Sequence, residues 1–134
     1  MMECASRTPS FAMQDFRKIE AWRRAHVLSI TIQKLARRFG RAGFSQLRAQ
    51  LTKSADAIPS NIVAGCNGEA NREFARFLSE SIKAANNTEH HLLTAKDLRL
   101  ISPDVWQKLT AETIEIRKMT YAYRRRVLED IRYD

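Results

Sequence analysis

Glycine and proline are scarce in this sequence, 4 and 3 among 134 residues. A sandwich or barrel turns its chain many times between short strands and needs far more of both, which excludes an all-β fold. Cys4 and Cys66 are too few for a disulfide framework and too far apart in sequence to chelate a metal as a pair, which suits a reducing cytosol. The longest stretch without a charged residue, Ala57 to Gly68, is 12 residues and includes Asn and Gly. A spanning helix needs roughly 20 apolar residues, so no membrane segment is expected. Before Phe16 no basic region leads into a sustained apolar core with a small-residue cleavage site, so no secretion signal is expected either. The cytoplasm is the expected location.

What is present suits one folded domain. Apolar residues are 44% and charged residues 28% of the chain, ordinary for a globular protein, and the length accommodates one domain. Residues 1–14 lack a helical apolar period and read as a flexible N-terminal tail, with the domain running from 15 to 134. From Phe16 to Phe39, Ile19, Trp22, Ala25, Leu28, Ile32 and Leu35 recur at steps of three and four, the spacing of one helix face, and Gly40 and Gly43 are expected to end that helix. A second pattern runs from Leu47 to Gly65 through Pro59, which removes one backbone hydrogen bond and predicts a kink. Ser60 and Asn61 either satisfy the freed carbonyl or a neighbouring subunit, or simply face water.

A third helix, from Phe74 to about Leu100, has an unusually polar middle. The fourth has a clear start, since Ser102 can cap free amides, Pro103 suits the first helical position and Asp104 complements the positive helix end. Four amphipathic helices with short connections predict an all-α, antiparallel up-and-down four-helix bundle.

Bundles often hold paired metals through Glu-x-x-His motifs, but the residues three before His26, His90 and His91 are Arg23, Asn87 and Thr88. Neither cysteine has a soft partner at zinc spacing, and no nucleophile elbow or Gly-rich phosphate loop occurs. No metal, cofactor or catalytic residue is assigned, and the chain reads as a non-enzyme. Glu69, Glu73, Glu80 and Glu89 alternate with Arg72, Arg76 and Lys83, a pattern of ion pairs along a helix.

Charge is the informative feature. The net charge is +8, yet residues 16–53 alone carry +9 and the rest −1. The basic residues there include Arg17, Arg23, Arg24, Lys34, Arg37, Arg38, Arg41, Arg48 and Lys53, opposed by Glu20 alone. Arg17, Arg24 and Arg38 are spaced by seven and fourteen residues, so they align near one stripe of the first helix, with Lys34 beside Arg38, able to track a phosphate backbone. Arg124, Arg125 and Arg126 make a second cluster, which helix-dipole matching also explains. Trp22, Phe39, Phe74 and Phe77 sit on apolar stripes and read as core rather than as base-stacking platforms. The expected partner is nucleic acid, RNA first, recognised by electrostatics and shape; the alternative is a scaffold for an acidic protein partner.

Finally, the segment Ala57-Ile58-Pro59-Ser60-Asn61-Ile62-Val63-Ala64-Gly65, followed by Glu73-Phe74-Ala75-Arg76-Phe77-Leu78, carries a resemblance. With Asp15 to Trp22 and Ala95 to Ser102, it resembles the small bundle proteins encoded by intervening sequences of bacterial 23S ribosomal RNA genes, a family that also includes relatives of the accessory variability protein of diversity-generating retroelements. The resemblance covers roughly residues 15 to 128. It implies an antiparallel four-helix bundle assembled as a homopentamer, a start at Met13, and in the retroelement branch a basic barrel that binds nucleic acid. Glu89 matches a commonly acidic position, whereas Ala64 stands where the family usually has Glu, and Ala70 replaces a Ser that would form a capping box with Glu73.

Overall fold

The computed structural model describes residues 14–40 and 42–131, so nearly all of the expected tail, with Cys4, and the cation Arg41 lie outside the described residues. Four α-helices make up the fold: α1 Glu20–Ala36, α2 Ser45–Cys66, α3 Asn71–Asp97 and α4 Pro103–Glu129. Each packs on the next and α4 closes against α1, an up-and-down four-helix bundle with no strand among the described residues.

The first helix starts later than its apolar spacing predicts. The Asp15 carboxylate accepts from the Arg17 amide at 3.0 Å, closing Phe16–Lys18 into a 3₁₀ turn, and Ile19 then adopts an extended conformation (φ −89°, ψ 119°) before α1 begins. A short acceptor side chain that bonds the next amides competes with helix propagation. Periodicity misses the break because Ile19 still points into the core, 5% exposed. The other end differs too. Gly40 does not take the left-handed cap conformation, and no described glycine has a positive φ. Instead the last turn tightens into a 3₁₀ segment, Arg37–Phe39, anchored by the buried Phe39 ring.

The one positive φ belongs to Arg99, at 63°. There the Leu100 amide bonds the Ala95 carbonyl and the Arg99 amide bonds that of Lys96, both at 2.9 Å, which closes α3 in a Schellman motif with Arg where Gly is usual. The α4 start matches expectation: Ser102 accepts from the Val105 amide at 3.1 Å, with Pro103 and Asp104 in the first turn.

The core forms two clusters. Leu28, Ile32, Phe39, Leu51, Leu92 and Ile116 pack in one, and Ile19, Ile62, Phe74, Leu78 and Val127 in the other. Two polar side chains from the middle of α3, Ser81 and Thr88, lie inside this core. Ser81 Oγ donates to the Ile58 carbonyl of α2 at 2.9 Å, and Thr88 Oγ1 lies 3.0 Å from Ser54 Oγ, so small polar side chains let α2 and α3 approach while staying hydrogen-bonded. Helix α2 continues through the buried Pro59. The carbonyl that proline deprives of a donor is that of Ala55, four residues earlier. Asn61 donates instead to Ala57 at 2.8 Å, and Ser60 is exposed.

Candidate nucleic-acid interface

The cations of residues 16–53 divide into two groups. Arg17 precedes α1, and its Nε lies 3.1 Å from Asp15, whose carboxyl the Arg17 hydrogen bond holds below its usual pKa. Arg23 is ion-paired with Glu20 and donates to the Arg17 carbonyl. Arg24 reaches across to α4, where its Nε and Nη2 bond the two Glu112 oxygens at 2.9 and 2.6 Å. That hydrogen-bonded pairing raises the Arg24 pKa further and makes the side chain a tie between helices. The expected stripe of Arg17, Arg24 and Arg38 therefore does not form as one free surface, because the helix starts after Arg17 and two of the three meet carboxylates.

The second group is free of carboxylates. Lys34, Arg37, Arg38 and Lys53 are exposed and Arg48 is half-buried, and none makes an ion pair among the described residues. They run from the last turn of α1, through the α1–α2 connection, to the third turn of α2. Asp56 is the one acidic residue between positions 21 and 68.

The C-terminal arginines do not make one patch either. Neighbouring helical residues point about 100° apart, and the three side chains go separate ways. Arg124 Nε donates to the Ala75 carbonyl at 3.3 Å, Arg125 is exposed, and the Arg126 guanidinium lies 5.1 Å from the Tyr123 ring centre. Burial lifts the Tyr123 phenol to about 12.

Most of the I-P-S-N-I to F-x-x-F-L segment packs. Ile58, Phe74 and Leu78 are buried, and the Arg76 guanidinium sits 4.6 Å from the half-buried Phe77 ring. A Cβ on Gly65 would meet Phe74 Cδ1 at 2.4 Å, so this position needs glycine for the approach of α2 and α3. Glu73 lies over the turn, its Oε1 2.8 Å from where a Gly68 Cβ would be, and pairs with Arg76 at 3.9 Å. Lys83 pairs with Glu80 in the expected i, i+3 manner. Glu89 does not join that row; it accepts from Arg117 of α4 at 2.5 Å, with Asn86 at 2.9 Å from the same nitrogen.

Three features were missed in the sequence. Val27 and Ile30 are 63% and 40% exposed on the outer face of α1, between Arg23 and Lys34. The spacing Arg23, Val27, Ile30, Lys34, Arg38 marks that face, which lies opposite the Ala25, Leu28, Ile32 stripe. His26 stacks on Trp22 at 4.9 Å and 11°, with Phe16 edge-on beyond. The third is a cleft of about 300 Å³ between α2 and α3. Its floor is made by Ser54, Ala57 and Ala84, and its rim by Gln50 and Lys53 of α2 and Asn87 and His91 of α3. Burial, with His90 beside it, pushes the His91 pKa below the usual histidine value. A larger hollow, about 630 Å³, lies at the α3–α4 turn and includes the Asp97 carboxylate with Lys96 and Arg99.

Among the described residues no group of three or more His, Cys, Asp or Glu side chains could hold a metal ion. Cys66 is buried, and burial raises its thiol to about 11. No described helix is long and apolar enough to cross a membrane.

A profile of the 23S rRNA-intervening sequence protein family matches residues 17–122. Among solved structures, a protein of unknown function from the S23 ribosomal protein family of Bacteroides thetaiotaomicron shares the fold, with a TM-score of 0.72 and 18% identity over 77% of this chain and 96% of that one. At that identity the likeness concerns the fold alone. No curated protein matches the chain.

Proposed function

We propose that this chain, which belongs to the 23S rRNA-intervening sequence protein family, is a non-enzymatic helical bundle that binds RNA electrostatically in the cytoplasm. One observation carries the reading. Lys34, Arg37, Arg38, Arg48 and Lys53 follow one another from the end of α1 into the first half of α2 with no carboxylate bound to them among the described residues, whereas the other described cations of this half are mostly paired. Unpaired cations retained at the surface cost self-repulsion and favour a polyanion, whose condensed counterions are released on binding. The interface in this reading is Lys34, Arg37, Arg38, Arg48 and Lys53; Arg17, Arg23 and Arg24 are held by carboxylates and contribute little, and Arg125 is peripheral.

The bundle acts as a homo-oligomer in this reading, a pentamer by the family resemblance, which light scattering in solution tests directly. A second reading, a scaffold for an acidic protein partner, draws on the exposed Val27 and Ile30 between cations of α1. The purified protein discriminates the two: RNA that copurifies and can be sequenced supports the first reading, and a nucleic-acid-free preparation that does not bind RNA at low salt supports the second.

A further inference from the structure

We propose that the cleft between α2 and α3 is a phosphate-binding site, in which one phosphoryl group is held by the Lys53 ammonium and by the side chains of Gln50, Asn87 and His91. The argument starts from the backbone. Gln50 and Lys53 are three apart on α2, and Asn87 and His91 are four apart on α3, so each pair shares one helix face. Both faces line the same cleft. Small side chains at Ala57 and Ala84 leave the space open beneath them.

Every polar side chain of the rim can donate, and the one charge among them is positive. Lys offers three N–H donors, each amide two, and a neutral imidazole one, while phosphate oxygens are acceptors. No carboxylate lines the cleft, and Lys53 has no ion pair among the described residues. The hollow at the α3–α4 turn lacks this character because Asp97 lines it. Burial and the neighbouring His90 lower the His91 pKa, which favours the neutral imidazole in this cleft. The cleft, about 300 Å³, is at the small end of ligand sites. It is large enough for a phosphate with part of its attached nucleoside.

The proposal deepens the RNA-binding reading and rests on it for the source of the phosphate, an RNA strand rather than a free phosphate compound. The test uses the full chain and follows the Asn87 side-chain amide and the His91 ring by NMR. Inorganic phosphate and cytidine monophosphate are titrated separately, with chloride at matched ionic strength, while RNA binding is measured by anisotropy. Phosphate should shift both groups saturably and chloride should not. Lys53→Ala should weaken phosphate binding about tenfold, the effect of losing one charge-assisted contact. Asn87→Ala should weaken it with no change in melting temperature, and Lys108→Ala, outside the cleft, should leave it unchanged. The site is overturned if phosphate produces no saturable shift, if chloride reproduces it, or if Lys53→Ala and Asn87→Ala bind like the parent. RNA binding without any response at the cleft overturns the site and leaves the RNA reading intact. Saturable phosphate binding by a protein that does not bind RNA upholds the site and assigns it to a free phosphate compound.

Discussion

Arg24 of α1 holds Glu112 of α4 through two parallel hydrogen bonds, 2.9 and 2.6 Å long, and so belongs to the bundle rather than to its free basic surface. Both side chains remain about one-third exposed. Solvent therefore screens the pair, and Arg24→Ala should cost only about 1 kcal/mol in a denaturant melt. RNA affinity should hardly change. Arg38→Ala should do the reverse, leaving stability unchanged and weakening binding.

Gly65→Ala should be among the most damaging single-atom additions to this chain. The new methyl would overlap the Phe74 ring, which is fully buried and has nowhere to turn. Forcing extra volume into a packed site costs about 1–3 kcal/mol. Thermal unfolding of the variant checks this, and a companion Gly43→Ala, with open space around its Cβ, should show a much smaller effect.

Ala70 is the N-cap of α3 and has no side chain to bond the free amides. Its extended backbone (φ −122°, ψ 145°) is that of a capping residue. Ala70→Ser should therefore stabilise the protein by about 1 kcal/mol, with Glu73 completing a capping box. Chemical denaturation measures the gain, and its loss in Ala70→Ser combined with Glu73→Ala would identify the box.

Cys66 gives a pH dependence with a definite sign. Its folded-state pKa, about 11, lies above the ordinary thiol value of 9.0 because burial disfavours the thiolate. The unfolded chain then releases its proton first as pH rises, so this contribution is complete below about pH 9 and is lost as pH climbs towards 11. Melting temperatures at pH 7, 9 and 10.5 should fall at the alkaline end, less so in Cys66→Ala. Alkylation mapped to Cys66 at pH 8 should be slow in the native protein and fast in urea.

Four helices, their order and the α4 cap were legible because period, proline and serine placement all act locally. The break at Ile19 was not, since an apolar residue at the right step hides it, and the work of Asp15 shows only in hydrogen bonds. The charge excess was legible as a count but not as a surface. Nothing in the spacing of Arg24 reveals that Glu112, 88 residues on, comes to meet it. The same holds for Ser81 and Thr88, whose polarity signals the α2–α3 contact only once the helices are packed. The cleft was invisible for a related reason: its two halves lie on different helices, and each half alone reads as ordinary surface.

The central claim is that the unpaired cations from the end of α1 to the first half of α2 meet phosphates. The measurement is the salt dependence of binding to single-stranded RNA for the parent and for two triple variants, Arg37→Ala/Arg38→Ala/Arg48→Ala and Arg17→Ala/Arg23→Ala/Arg24→Ala. About five phosphate contacts predict a slope of log affinity against log salt near −3.5, falling to roughly −1.5 when three are removed. The ion-paired triple should keep nearly the parent slope. A parent slope near zero, or equal losses in the two variants, would contradict the account.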